Sequence, residues 1–297
     1  MSPSPTRDTR SGQAYNDVRN LAKRAHRDVG EYLTMYTLEG LLSRLAISGQ
    51  QQDFVLKGGV LMAAFTARRP TRDLDFRASG FPDEVEECVQ RIRYIATLPL
   101  DDGLVFDPES IHGQVIRDEG DYSGVRVYVN ARLASARIAV HADVNFADPV
   151  WPAPVIAELP RILGGTLPLL SYPDHMVLAE KIVTAIERGP ANTRWRDFAD
   201  IDTLTAKRVF TADTVGTALR TVADFRHITL QPLSGILSGM VEIAQTKWAV
   251  WRHKQRLEDS TPEAFSDVLL RCISFTDPLI EGTVTGLTWD PQNRIWQ

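Results

Sequence analysis

A block of strand-like segments between residues 104 and 146 lies between two helical regions, and this order restricts the possible folds most. The segments LVFDP, SIHGQVI, SGVRVYVNARL and ARIAVHADVNF are rich in β-branched residues and are broken by Gly, Asp or Pro, as neighbouring strands are. Apolar residues recur at helical spacing from Tyr15 to Ile47 and again from Trp195 to about residue 256. Helices, a mixed core and further helices predict an α+β fold.

Shorter segments are predicted within this frame. A short helix over Val60–Thr66 would be entered through two glycines, and the alternation at Asp73–Phe76 predicts a half-buried strand. The proline-rich WPAPVIAELP is interpreted as a connector. A helix over residues 173–188 is expected to end at Gly189-Pro190.

Three regions follow from this pattern. Residues 1–12 are rich in Ser, Pro, Thr and Arg and are predicted to be a flexible tail. Residues 13–170 would hold the N-terminal helices and the mixed core, and residues 171–297 a mainly helical domain.

Charge and composition exclude some classes of protein. A net charge of −5 over 297 residues argues against a protein coated in nucleic acid, although one local basic face stays possible. No apolar run approaches the roughly 20 residues that cross a bilayer, and the first residues lack the apolar core of a secretory signal. Two cysteines fit a reducing compartment. We therefore expect a cytoplasmic protein with no membrane partner.

Three aspartates form the candidate metal site. Asp73 and Asp75 are two residues apart on one predicted strand, so both side chains point to the same face. Asp143 lies on a second predicted strand between apolar neighbours. Carboxylates on adjacent strands can hold two Mg²⁺ ions, which would activate a hydroxyl and bind a triphosphate. The alternative is a set of solvated acids at strand edges, because a bare Asp-x-Asp pattern is common by chance.

Lys57-Gly58-Gly59 precedes these acids between a predicted strand and a predicted helix. Two glycines there allow backbone amides to approach a phosphate at the helix N-terminus, although a Gly-Gly pair alone is more often a turn. The Gly-Gly entry, the spaced pair of acids and the later strand acid together form the pattern of the polymerase-β-like nucleotidyltransferase fold.

The sequence also resembles a known family in three ordered stretches. FVLKGGVLMAAFTARRPTRDLDF resembles the first motif of AbiEii-type nucleotidyltransferase toxins, YSGVRVYVNARLASARIAVHADVNFADPV resembles their central strands, and LAEKIVTAIERGPANTRWRDFADIDTL resembles their Glu-Lys helix and following Asp motif. The match covers residues 33–204.

The resemblance implies a toxin of a type IV toxin–antitoxin pair that uses Mg²⁺ and an NTP. Mycobacterial relatives add nucleotides to the 3′ acceptor end of tRNA, which blocks aminoacylation, so tRNA and a cognate antitoxin are the implied partners. The alternatives are transfer to a protein hydroxyl or a small molecule, and a non-catalytic module that acts by binding.

The resemblance also assigns roles to particular residues. Asp73 and Asp75 match the metal-binding pair, and Asp143 matches the later acid by its place. Lys181 matches the helix lysine that meets the triphosphate, and Asp197 matches an acid that the family needs for activity. The other predicted nucleotide-binding residues are Thr71, two residues before Asp73, and the loop Lys57, Gly58 and Gly59. Alternatively, Lys181 is a solvated charge and Asp197 only pairs with Arg196.

Two basic clusters suggest a polyanionic substrate. One surrounds the paired acids, at Arg68, Arg69, Arg72 and Arg77, and the other accompanies two tryptophans, at Lys247, Trp248, Trp251, Arg252, Lys254 and Arg256. Cations with aromatic rings suit an RNA 3′ end. The alternative for the second cluster is a solvated helix whose tryptophans face the core.

Overall fold

The computed structural model describes residues 5–66, 71–117 and 123–297. Arg68 and Arg69, which the sequence placed near the paired acids, lie outside these ranges. The chain divides into two compact units. The first comprises Met1–Asp148 and Pro154–Tyr172, and the second comprises Pro149–Ala153 and Pro173–Gln297. That residues 13–170 and 171–297 are separate folding domains stays a prediction.

The first unit is built on helices and one large sheet. Its described helices are α1 (Arg10–Arg24), α2 (Val29–Ile47), α3 (Gly58–Phe65) and α4 (Val85–Thr97). Its strands are β1 (Phe54–Lys57), β2 (Asp73–Ala78), β3 (Leu104–Arg117), β4 (Ser123–Leu133), β5 (Ala136–Asn145), β6 (Val155–Pro160) and β7 (Thr166–Ser171).

The seven strands form a mixed sheet in the order β3-β4-β5-β2-β1-β7-β6. β2 pairs with β5 in parallel, with Asp75 beside Asp143, and with β1 antiparallel, with Asp75 beside Lys57. β3, β4 and β5 are antiparallel neighbours. The predicted segments LVFDP and SIHGQVI belong to the single strand β3, whose pairing with β4 shifts register between Asp107 and His112.

The two faces of this sheet differ in polarity. On one face the strands contribute buried apolar side chains, namely Leu56, Leu74, Phe76, Val125, Val127, Ala142 and Val144. α4 packs on this face, where Gly113 of β3 leaves room for Val85 and Val89. The opposite face carries the polar residues of the same strands, because side chains alternate along a strand. All three predicted acids lie on this polar face.

Two segments differ from the sequence-based expectation. Val155–Pro160, within the predicted connector, is the edge strand β6, with Ala157 and Leu159 buried; an edge strand tolerates proline because one side of it needs no ladder hydrogen bond. Helix α1 begins at Arg10, inside the predicted tail, because the Thr9 hydroxyl accepts a hydrogen bond from the Gly12 amide and caps it.

The second unit is mainly helical. Its described helices are α5 (Asp174–Arg188), α6 (Trp195–Lys207), α7 (Ala212–Phe225), α8 (Leu233–Ile236), α9 (Met240–Gln255) and α10 (Phe265–Glu281), with a 3₁₀ turn at Gly189–Ala191. A small sheet has the order β10-β9-β8, from β8 (Phe210–Thr211), β9 (Thr288–Asp290) and β10 (Ile295–Trp296). In the part of the chain that the structure describes, each helix is too short or too polar to cross a membrane.

These elements confirm the predicted α+β class, with a mixed sheet, helices before it and a helical region after it. Gly189 ends α5 at φ +53°, as the Gly-Pro pair predicted. The core of the first unit is the layer between the apolar face of the sheet and its helices.

We expect Leu74→Ala to lower the free energy of unfolding by about 2–5 kcal/mol, because Leu74 is fully buried between the two acids of β2. Val105→Ala is the matched control, since Val105 is 65% exposed, and it should change that free energy by less than about 0.5 kcal/mol. Urea unfolding measures both. Equal effects would contradict the assignment of the two faces.

Candidate active site

Asp73 and Asp75 lie on the polar face of β2, both half-buried, with the fully buried Leu74 pointing the other way. Strand pairing places Asp143 of β5 directly beside Asp75. Asp73 accepts a hydrogen bond from the Thr71 hydroxyl, with 2.6 Å between Oγ1 and Oδ1. The structure therefore brings all three predicted acids and Thr71 to one patch of the sheet.

Gly58 borders this patch and can only be a glycine. Its φ is +68°, and a Cβ atom there would lie 1.9 Å from Oδ2 of Asp75. The backbone at the start of α3 thus approaches the Asp75 carboxylate more closely than any side chain would allow. Gly59 follows as the second residue of α3 and is buried.

Lys57 does not present a solvated ammonium beside these glycines. It is buried, its Nζ pairs with Asp148, and it lies 5.7 Å from the centroid of the Tyr172 ring. A buried cation needs such a partner because losing its hydration is costly. Its assignment to the nucleotide stays a prediction.

Arg126 is a member of this patch that the sequence analysis missed. Its guanidinium donates two hydrogen bonds to Asp143, at 2.7 Å to Oδ1 and 2.6 Å to Oδ2. The hydrogen bonds to Asp143 raise the pKa of Arg126 above its usual value. The alternation in SGVRVYVNARL could have revealed it, because it places Arg126 on the face opposite Val125 and Val127.

These residues fit a hard divalent cation by the chemistry of their oxygen donors. Within residues 5–66, 71–117 and 123–297, no group of three or more His, Cys, Asp or Glu side chains already has the geometry of a metal site. At Asp143, Arg126 engages both carboxylate oxygens. Asp73 and Asp75 are the carboxylates that would hold a cation, and Asp143 would have to turn away from Arg126 to join them.

The second unit holds the other two predicted catalytic residues. Nζ of Lys181 lies 2.7 Å from Oδ2 of Asp200 and 3.2 Å from Oδ1 of Asp197, and all three residues are buried. Burial alone would raise the pKa of Asp197, but the charges of Lys181 and Arg194 outweigh it and lower that pKa below its usual value. Asp197 is therefore an ionised carboxylate in the interior.

The ion pairs of Lys181 and Asp197 show which of their alternative roles applies. Asp197 pairs with Lys181 and Arg194. Lys181 is thus a buried ion-paired residue and not a solvated charge. Asp200 is not among the predicted site residues, and it completes the cluster because it lies one helical turn after Asp197.

The late basic cluster is largely structural. Trp248 is fully buried and stacks on Trp251 with 5.1 Å between ring centroids, while Arg252 is buried and donates to the carbonyls of Glu258 and Thr261. This favours the alternative in which the tryptophans face the core. Lys247, Lys254 and Arg256 are exposed.

Comparison with known families decides which proteins this chain is related to. A family model described as "Nucleotidyl transferase AbiEii toxin, Type IV TA system" matches residues 40–275, which is most of the chain. The chain belongs to the AbiEii toxin family. Its membership makes it a nucleotidyltransferase toxin of a toxin–antitoxin system, as the resemblance implied. No protein of curated function matches the chain significantly.

Two solved structures from Helicobacter pylori show more distant similarity. One, described as a candidate nucleotidyltransferase, is 15% identical with a TM-score of 0.48 over 85% of this chain and 95% of its own. The other, JHP933, is 14% identical with a TM-score of 0.45 over 83% of this chain and 89% of its own.

We expect Gly58→Ala to reduce nucleotidyl transfer by about 100-fold, because the new Cβ would displace the Asp75 carboxylate. Gly49→Ala is the matched control, since Gly49 has a similar φ of +76° and no atom near its Cβ position. Both variants should lose stability through backbone strain, by about 1–2 kcal/mol. Pyrophosphate release and urea unfolding measure the two effects, and equal activities would contradict the close approach.

We expect Lys181→Met to lower the free energy of unfolding by about 3–5 kcal/mol, because Asp197 and Asp200 would be left buried without their cation. Lys254→Met, at an exposed lysine of α9, should change that free energy by less than about 0.5 kcal/mol. Thermal unfolding at neutral pH compares them. A loss no larger than the control's would show that Lys181 does not compensate this cluster.

Proposed function

We propose that this toxin transfers a nucleoside monophosphate from an NTP to the 3′ acceptor end of tRNA, in a Mg²⁺-dependent reaction that blocks aminoacylation. The observation that carries the proposal is the patch in which Asp73 and Asp75 share one face of β2, with Asp143 beside them and Gly58 against Asp75. Family membership supplies the reaction class.

In this proposal, the residues of the patch have separate tasks. Mg²⁺ bound by Asp73 and Asp75 would neutralise charge on the triphosphate and favour ionisation of the attacking hydroxyl. Thr71 orients Asp73 through its hydrogen bond. The Gly58-Gly59 backbone lets phosphate oxygens approach the start of α3. Asp143 would supply a third ligand if it turned away from Arg126.

The transfer itself balances without a further reactant. The 3′ oxygen of the acceptor forms a bond to the α-phosphorus of the NTP, and the bond from that phosphorus to the β-phosphate oxygen breaks. Pyrophosphate leaves, and the proton of the hydroxyl passes to a carboxylate. The family resemblance assigns Lys181 to the triphosphate, and Asp197 and Asp200 hold its ammonium in a fixed place.

The biological setting in this proposal is growth inhibition in the cytoplasm. An acceptor end that carries additional nucleotides has no free terminal adenosine for an amino acid, so translation stops. A cognate antitoxin would restrain the enzyme, as membership of a type IV system suggests.

The test is incubation with Mg²⁺, total RNA and each NTP labelled at the α-phosphate. We expect a labelled band of tRNA size with at least one NTP, and loss of aminoacylation of that RNA. Asp73→Ala should reduce the label by about 100-fold or more, because a metal ligand is removed.

Asp101→Ala is the control for this substitution. The Asp101 side chain is 92% exposed, and the residue lies in the loop between α4 and β3. It should leave the label unchanged. Label that resists ribonuclease but not protease would move the acceptor to a protein and contradict the tRNA assignment. Label that survives in Asp73→Ala would contradict the metal site.

A further inference from the structure

We propose that three rings on the polar face of the large sheet, His112, Tyr128 and His141, bind the unstacked bases of the RNA end that accepts the nucleotide. We call these three residues the ring row. The inference rests on the proposed function for the identity of the acceptor, and it adds the surface that holds that acceptor.

The rings contact one another across three neighbouring strands. The centroids of His112 and Tyr128 are 5.0 Å apart and their planes differ by 15°, so the two rings are stacked. Tyr128 and His141 are 5.9 Å apart at 45°. Gln114 donates a hydrogen bond of 2.9 Å to the Tyr128 hydroxyl and fixes that ring. Rings held in place lose little conformational entropy when a base stacks on them.

The ring row leads directly to the paired acids. In the strand register, His112 lies opposite Tyr128, Tyr128 opposite His141, and His141 beside Asp73. Gly58, where the donor phosphates would bind, follows β1 on the other side of β2. An RNA end that follows the ring row would therefore reach the acids from the side opposite the phosphates, as in-line displacement requires.

Arginines on the same face favour a polyanion over a single nucleobase. Arg132 of β4 and Arg137 of β5 are directly opposite each other and both are exposed. Like charges in such a pair destabilise a sheet, and neither forms an ion pair with the residues that the structure describes. A phosphate backbone would compensate both charges. The charge of Arg126, two residues before Tyr128, is already taken up by Asp143, so Arg132 and Arg137 are the cations that this proposal uses.

The face is accessible to such a ligand. His112 is exposed, and Tyr128 and His141 are half-buried. α4 packs against the apolar face, on the other side of the sheet. The ring row crosses three β-strands and is therefore longer than a single nucleobase. It suits a single-stranded RNA with successive unstacked bases.

The test measures binding of the full-length protein to a fluorescent single-stranded RNA of eight nucleotides that ends in CCA, by anisotropy, in EDTA and without NTP. We expect Tyr128→Ala to raise the Kd about tenfold, the change expected from losing one stacked base. Tyr128→Phe keeps the ring and should stay within about twofold. Tyr94→Ala, at a 47% exposed tyrosine of α4, is the matched control and should not change the Kd.

A second variant tests the charges. Arg132→Gln with Arg137→Gln should weaken RNA binding and lower the slope of log K against log salt by about 1.4, since each phosphate contact on a single strand contributes about 0.7. The same variant should unfold at an equal or higher temperature, because it removes a like-charge pair. A structural role alone would not change the salt slope.

The outcomes are distinct from those of the transfer assay, because this binding needs neither metal nor NTP. An unchanged Kd in Tyr128→Ala, or an equal change in Tyr94→Ala, would overturn the proposal. A raised apparent KM for NTP with unchanged RNA binding would also overturn it, since the ring row would then hold the donor base. If Tyr128→Ala does not fold, His112→Ala at the exposed end of the row replaces it in the same comparison.

Discussion

The parallel pairing of β2 with β5 is the interaction on which the candidate active site depends. It places Asp75 beside Asp143 and Asp73 beside His141 on one face, while Leu74 and Ala142 enter the core on the other. Because side chains alternate along a strand, a slip of one residue would bury the acids and expose the core. The apolar face therefore fixes the register that the catalytic chemistry needs.

Within each unit, the charges of the candidate site residues are compensated by ion pairs. Arg126 neutralises Asp143, Asp148 neutralises Lys57, and Lys181 pairs with Asp197 and Asp200. Such pairs contribute little net stability, since desolvation offsets their attraction, but removing one partner is costly. Their value here is positional, because they hold cations and carboxylates in defined places. The ion pair between Arg126 and Asp143 also occupies both oxygens of the third acid.

Several features were predictable from the sequence because they depend on local patterns. The β-branched block gave the three antiparallel strands, the helical spacing gave α1, α2 and α5, and Gly-Gly predicted the entry to α3. The edge strand β6 was missed because its prolines resemble those of a connector, and edge positions tolerate them. Arg126 was missed because its partner Asp143 is 17 residues away in the chain, on the next strand.

The sequence by itself determined the fold class and the family, and it predicted which acids form the candidate site, because periodicity, turn residues and ordered motifs are all local in the chain. Only the tertiary structure decided which charges meet. It alone paired Arg126 with Asp143, Lys181 with Asp200, and the rings of His112, Tyr128 and His141 with one another. The physical reason is that strand order and register bring distant residues within a few ångströms, and side-chain spacing within one segment carries no record of its neighbours across the sheet.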